Sequence, residues 1–261
     1  MQVPVIDSRG ESTCPLCGAG DLCDRGRAFG RRFRACLCCR LLSMHPEDHL
    51  SADEEGRRYH LHHNDPDDPG YRAFLRRLLD PAAEHLRPGA RGLDYGCGPE
   101  PALASLARAG GLWCDVFDPL FHPRALSPPY DFVLASEVFE HFRVPAREIS
   151  RVVSLLDPGG PGRQGGLLAL MTLHWSDGED LARWHYLADP THLSIYRAET
   201  FDWITAHHGL EMEWSDGERV VLLRRTGAAD GKDEAPAIPP NGTCTPVRPC
   251  PLSRTLRHRR G

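Results

Sequence analysis

A chain of 261 residues, 41% hydrophobic and 26% charged with a net charge of −5, has enough apolar content for one buried α/β domain and a small appendage. No run approaches the ~18 apolar residues of a membrane span, and Met1–Gly10 has no apolar signal region, so a cytoplasmic location and no membrane partner are expected. Ten cysteines in so long a chain point to metal more than to a disulfide scaffold, and the only lysine is Lys232; this excludes a Gly-Lys-Ser/Thr phosphate loop, a pyridoxal Schiff base and a Tyr-x-x-x-Lys hydride-transfer site inside the fold.

In chain order, residues 1–46 read as a zinc ribbon. Cys14-Pro-Leu-Cys17 and Cys36-Leu-Cys-Cys39 form two Cys-x2-Cys knuckles whose spacing suits four thiolates around a structural Zn²⁺. Cys23 and Cys38 compete as ligands, but Cys36 and Cys39 keep the two-residue gap. So small a segment lacks apolar burial, and metal ligation supplies the missing stability. Its Arg25, Arg27, Arg31, Arg32, Arg34 and Arg40 form either a solvated face or a weak attraction for RNA or an anionic substrate. Residues 47–90 read as an acidic, His-rich linker and a lead-in helix. Tyr59, His60, His62 and His63 form a lid over a ligand cleft or an exposed loop, and Phe74, Leu75, Leu78, Leu79, Ala82 and Leu86 share one helix face over 71–86.

From 91 to 225, short apolar runs alternate with amphipathic segments, as in a parallel sheet with crossover helices. Strands are predicted over 92–95, 112–117, 131–135, 166–172, 210–214 and 219–223, and helices over 102–109, 145–156 and 198–208. Residues 226–261, rich in Pro, Gly and charge, read as a disordered tail.

Four motifs carry the chemistry. Gly92-Leu-Asp94-Tyr-Gly96-Cys-Gly98 sits at a strand-to-helix turn where the backbone can approach a ligand. It lacks the third glycine of a dinucleotide fingerprint, and the carboxylate of Asp94 suits an amino group better than a phosphate. Asp118 ends the second strand, where an acid can accept both ribose hydroxyls. Glu137-Val-Phe-Glu140-His141 ends a buried strand beside the same cleft, and Pro158-Gly-Gly160 leads into the next strand.

With these motifs in this order, residues 91–225 resemble a class I S-adenosylmethionine-dependent methyltransferase. The ribbon and Asp189-Pro-Thr-His192 resemble a bacterial methyltransferase-domain subgroup. The resemblance implies a doubly wound Rossmann-like sheet and S-adenosylmethionine as cofactor. By the same resemblance Asp94, Gly96 and Gly98 hold its methionine part and Asp118 its ribose; Glu137, beside the cleft, is counted with them. Only 12 residues separate Asp118 from Asp131, too few for the family's third strand and its helix, so that sheet edge should be truncated. The insertion at 161–165 reads as a surface loop.

After the strand ending at Thr172 comes a polar-aromatic stretch holding His174, Trp184, His185, Tyr186, Asp189, His192 and Tyr196, in the strand-end position where α/β enzymes keep their sites. His192 is the candidate general base, Asp189 its orienting partner and His185 its competitor; the alternatives are a helix cap for Asp189 and a structural histidine for His192, and His141 is read as a hydrogen bond to backbone. The expected activity is methyl transfer to a small-molecule acceptor, because the main domain is acidic. RNA recruited by the ribbon, or a non-catalytic zinc- and cofactor-binding platform, are the rivals.

Overall fold

The computed structural model describes residues 13–60 and 65–226; the expected tail and signal-free N-terminus, together with His62 and His63, lie outside them. Three short strands open the chain: β1 (Leu22–Ala28), β2 (Arg31–Cys36) and β3 (Leu42–Met44). A helix α1 (Ala52–Tyr59) then starts at Ser51, whose hydroxyl accepts from the Glu54 amide while Glu54 reaches back to the Ser51 amide. Helix α2 (Pro69–Glu84) starts at Asp68, whose carboxylate accepts from the Tyr71 amide at 2.6 Å, and buries Leu75, Leu78, Leu79 and Ala82.

The main sheet follows: β4 (Arg91–Tyr95), α3 (Ala102–Ala109), β5 (Trp113–Phe117), β6 (Phe132–Ser136), α4 (Pro145–Leu155) and β7 (Leu167–Met171). A two-residue strand β8 (Ser194–Ile195), α5 (Ala198–His208), β9 (Leu210–Ser215) and β10 (Val220–Arg225) complete the described chain. The strand order is β5-β4-β6-β7-β10-β9. Strands β5, β4, β6 and β7 are parallel, and β7 is apolar and buried along its whole length because helices cover both of its faces. As expected from the short Asp118–Asp131 interval, no further strand lies beyond β5 among the described residues, and Trp113 stands 71% exposed on that edge.

Two differences from the sequence-based picture matter. First, β9 and β10 run antiparallel, to each other and, through β10, to β7. The tight turn at Asp216–Gly217 leaves no chain for a crossover helix, so the last two strands form a hairpin. Second, the N-terminal module is not a free appendage. Its sheet has the order β1-β2-β3-β8, and the fourth strand comes from the polar-aromatic stretch of the main domain. Phe33, Leu42 and Met44 pack in one buried cluster with Trp175, Trp184, Leu187, Leu193 and Ile195. Among the described residues no helix is long and apolar enough to cross a membrane.

Gly92 marks a tight crossing in the sheet: a Cβ there would lie 2.2 Å from the ring of Phe132 on the neighbouring strand. Gly92→Ala should therefore lower stability by about 1–3 kcal/mol through overpacking, read as a fall in denaturation midpoint without a change in slope.

Candidate active site

A cavity of about 1020 Å³ opens at the carboxyl ends of the parallel strands. One side is the glycine loop after β4 and the turn after β5; the opposite side is His141 with His185, Tyr186, Asp189 and His192; α1 covers it with Glu55 and Tyr59.

The glycine loop bends back on β5, with the amides of Gly96 and Cys97 donating to the Phe117 carbonyl at 2.8 and 3.2 Å. Gly96 has a φ of +75°, and a Cβ there would come 2.6 Å from Val138. Gly98, at φ +66°, has open space where its side chain would be. Asp118 lines the cavity and ties the loop to the next turn: one carboxylate oxygen accepts from Leu120 and Phe121 at 2.8 and 3.0 Å, the other from Gly98 at 3.2 Å. A loop whose glycines leave its backbone open to the cavity, beside a strand-end carboxylate, fits a cofactor with an amino-acid part and a ribose.

Asp94 is placed differently from the sequence-based expectation. It lies behind the loop, outside the lining, and its carboxylate accepts from the Ala104 amide at 3.1 Å in the first turn of α3. The pleat of β4 turns it inward, so it anchors the loop to the helix. Burial pushes its carboxyl up to about 7, against the pull of the Ala104 amide.

On the far wall, the hydroxyl of Tyr186 donates to Glu140 Oε1 at 2.6 Å and contacts Glu137 Oε2 at 3.4 Å. Glu137 has a left-handed backbone, φ +52°, fixed by its amide donating to the Met171 carbonyl at 2.8 Å; this aims it into the cavity. Burial, reinforced by Glu140, pushes the Glu137 carboxyl up to about 8. His141 and His192 stack edge to face with centroids 4.9 Å apart. The expected trio of His192, Asp189 and His185 is brought to this wall together. Asp189 closes its own turn by accepting from the Thr191 amide and hydroxyl at 2.9 and 2.7 Å, and pairs with Arg58 at 3.2 Å. Burial opposes that carboxylate, but Arg58 and Thr191 outweigh it and hold Asp189 well below the usual range. His192 Nδ1 lies 2.6 Å from the Tyr186 carbonyl oxygen.

Of the roof, Tyr59 was expected in a lid over the cleft and does line the cavity, whereas Glu55 and Arg143 were not read from the sequence as part of the site. Arg143 grips α1 through the Leu50 carbonyl at 2.7 Å and Glu55 at 2.5 Å, and Tyr59 meets His141 edge to face. The Ser51-x-x-Glu54 capping signature was the available clue to this helix.

Away from the cavity, Cys14, Cys17, Cys36 and Cys39 are all buried with their sulfurs within 4.8 Å of one another. Cys14–Cys39 and Cys17–Cys36 are 3.5 and 3.4 Å apart. The knuckles are built alike: the amides of Gly18 and Arg40 donate back to Cys14 and Cys36, and both residues are left-handed, at +73° and +63°. Cys23 and Cys38, the expected competitors, are disulfide-bonded and stand outside the quartet.

A family model described as a methyltransferase domain matches residues 68–214, more than half of the chain. The chain belongs to this family and is a class I, S-adenosylmethionine-dependent methyltransferase. No curated protein matches it significantly. Similar solved structures include the 1,6-didemethyltoxoflavin-N1-methyltransferase of Burkholderia thailandensis with 1,6-didemethyltoxoflavin and S-adenosylhomocysteine bound (16% identity, 78% of this chain and 99% of that chain, TM-score 0.46). Others are the magnesium protoporphyrin IX methyltransferase of Synechocystis PCC 6803 (15%, 67% and 95%, TM-score 0.40) and the complex between the Haloferax volcanii Trm112 methyltransferase activator and a methyltransferase (13%, 68% and 100%, TM-score 0.45).

Asp94 supplies a pH test. Folded, it keeps its proton up to about 7, whereas the unfolded carboxyl releases it near 3.8, so between those values the folded state binds more protons and stability falls as pH rises. Asp94→Asn, which keeps an acceptor for the Ala104 amide, should flatten the stability curve over that interval, as measured by urea melts from pH 4 to 8.

Proposed function

We propose that the enzyme moves a methyl group from S-adenosylmethionine to a small-molecule acceptor held between the glycine loop and the His192 wall, and that the cysteine quartet holds one structural Zn²⁺. The carrying observation is that one cavity, roofed by α1, joins Gly96, Gly98 and Asp118 to His185, Asp189 and His192. The backbone of Gly96 and Gly98 would hold the amino-acid part of the cofactor, Asp118 its ribose, and Glu137 would lie beside them. The cofactor's sulfonium supplies the electrophilic methyl group, and the protein's task is to orient the acceptor and deal with its proton. A carbonyl only accepts, so His192 carries its proton on Nδ1 and its lone pair on Nε2, where it can act on the acceptor's proton.

The arginines support a small acceptor over RNA. Arg25 and Arg40 are drawn to Asp177 at 3.7 and 3.6 Å, Arg31 donates to the Leu187 carbonyl at 2.5 Å, and Arg32 clamps Asp48 at 2.8 Å. Arg25, Arg31 and Arg40 brace the module against the main domain and Arg32 ties it to the start of the linker, and phosphate binding would have to break these contacts. For zinc, the chemistry of the donor set fits: four sulfurs about 2.3 Å from a tetrahedral ion stand about 3.8 Å apart, close to the spacing here.

S-adenosylmethionine and S-adenosylhomocysteine should each raise the melting temperature. By calorimetry, Asp118→Ala should weaken both alike. His192→Ala should cut turnover roughly 10²–10⁴-fold while leaving cofactor affinity unchanged. Loss of activity on every small acceptor, with salt-sensitive transfer to RNA instead, would overturn the choice of acceptor.

Metal analysis should find one zinc bound by the quartet. Cys14→Ser should lose it and, because β3 pairs with β8, should also raise protease sensitivity in the Asp189–Ile195 segment.

A further inference from the structure

The two imidazoles on the cavity wall are held in one way. His141 Nδ1 lies 3.0 Å from the Thr191 carbonyl oxygen and His192 Nδ1 lies 2.6 Å from that of Tyr186, so each ring keeps its lone pair on Nε2. A backbone carbonyl fixing one ring nitrogen is the usual support of an imidazole whose other nitrogen binds metal. Beside them is Glu140, 0% exposed: its Oε1 accepts from Tyr186, while Oε2 is buried with no hydrogen-bond partner among the described residues. A buried carboxylate oxygen without a donor is costly, and a cation removes that cost. One ligand atom from each of Glu140, His141 and His192 lies within 4.8 Å of the others. Ligands about 2.1 Å from a shared ion stand about 3–4 Å apart, within reach of small side-chain rotations.

We propose that Glu140, His141 and His192 bind one divalent first-row transition-metal ion in the cavity wall. Two imidazoles and a carboxylate leave coordination positions open, and His141 and His192 line the cavity, so those positions face the acceptor. This site is distinct from the quartet: thiolates select zinc, whereas a nitrogen–oxygen set also takes Mn²⁺. The inference deepens the proposed methyl transfer and rests on it. The acceptor is then a hydroxyl compound whose oxygen coordinates the ion and loses its O–H proton to water. That oxygen forms the new O–CH₃ bond as the S–CH₃ bond of the sulfonium breaks, leaving a neutral thioether. With the ion bound, the lone pair of His192 is held by the metal, so His192 promotes loss of the acceptor's proton by holding the ion and does not take that proton itself.

The test is Mn²⁺ titration of the full chain followed by electron paramagnetic resonance, which reads binding without turnover. Wild type should take up one Mn²⁺ saturably, and Zn²⁺ should displace it. Glu140→Gln, which keeps the acceptor for Tyr186, and His192→Ala should each weaken uptake at least tenfold while S-adenosylhomocysteine affinity stays unchanged, showing that both variants are folded. No saturable Mn²⁺ signal, or one unchanged in both variants, overturns the site even if methyl transfer proceeds. Mn²⁺ binding without S-adenosylhomocysteine binding would leave the site standing and overturn the methyl-transfer reading.

Discussion

Leu193 is the pin of the molecule. Its carbonyl accepts from the Met44 amide at 2.8 Å and its amide donates to the Glu140 carbonyl at 2.7 Å, so a single residue joins the N-terminal sheet to the segment that follows β6. Ser194 and Tyr196 continue the seam, donating to the carbonyls of Phe142 and Phe139 at 2.9 and 3.1 Å. Without this seam the segment carrying His185, Asp189 and His192 would be a long polar loop with little to order it. With it, the loop becomes a wall whose position is set by the packing of Phe33, Leu42 and Met44 against Trp184 and Leu187.

The wall's electrostatics follow from that enclosure. Glu137 and Glu140 are both buried near one another, and in each burial is the largest influence and raises the pKa. The pair is tolerated because the Tyr186 hydroxyl reaches both and the positive charge of Arg219 pulls against the shift at Glu137. At the rim the balance is reversed: Asp189 and Glu55 meet Arg58 and Arg143, and these ion pairs fasten α1 across the opening.

The parts legible in the sequence are those whose cause is local. Buried runs such as Phe132–Ser136 and Leu167–Met171, the glycine loop, and two knuckles with fixed spacing need no distant partner to be recognised. The short Asp118–Asp131 interval likewise announced the missing strand, because a strand and a crossover helix need more chain than that. What was not legible depends on partners far along the chain. Strand β8 is two residues long and exists because β3 lies beside it. The roof helix has no buried residue and is held by charges on other elements. The role of Asp94 turned on which face of β4 it occupies, and that depends on the strand's register in the sheet, beyond what its motif states. Glu140 and His141 could be read as a strand end, but their neighbour His192 is brought to them by folding.

The shared sheet also has a bearing on how acceptor preference could change. Because β8 completes a sheet begun by β1–β3, the boundary between cysteine module and catalytic domain runs through the middle of a structural unit. A hybrid joined at the end of the module would pair one protein's β3 with another's β8 and lose the interlocking aromatic packing. Diversification of this wall by recombination would therefore favour exchange of two separated segments together, the module and the 173–196 stretch, with the cofactor half of the domain left in place between them. Natural variation in acceptor would then travel with variation in the module's sheet-facing residues.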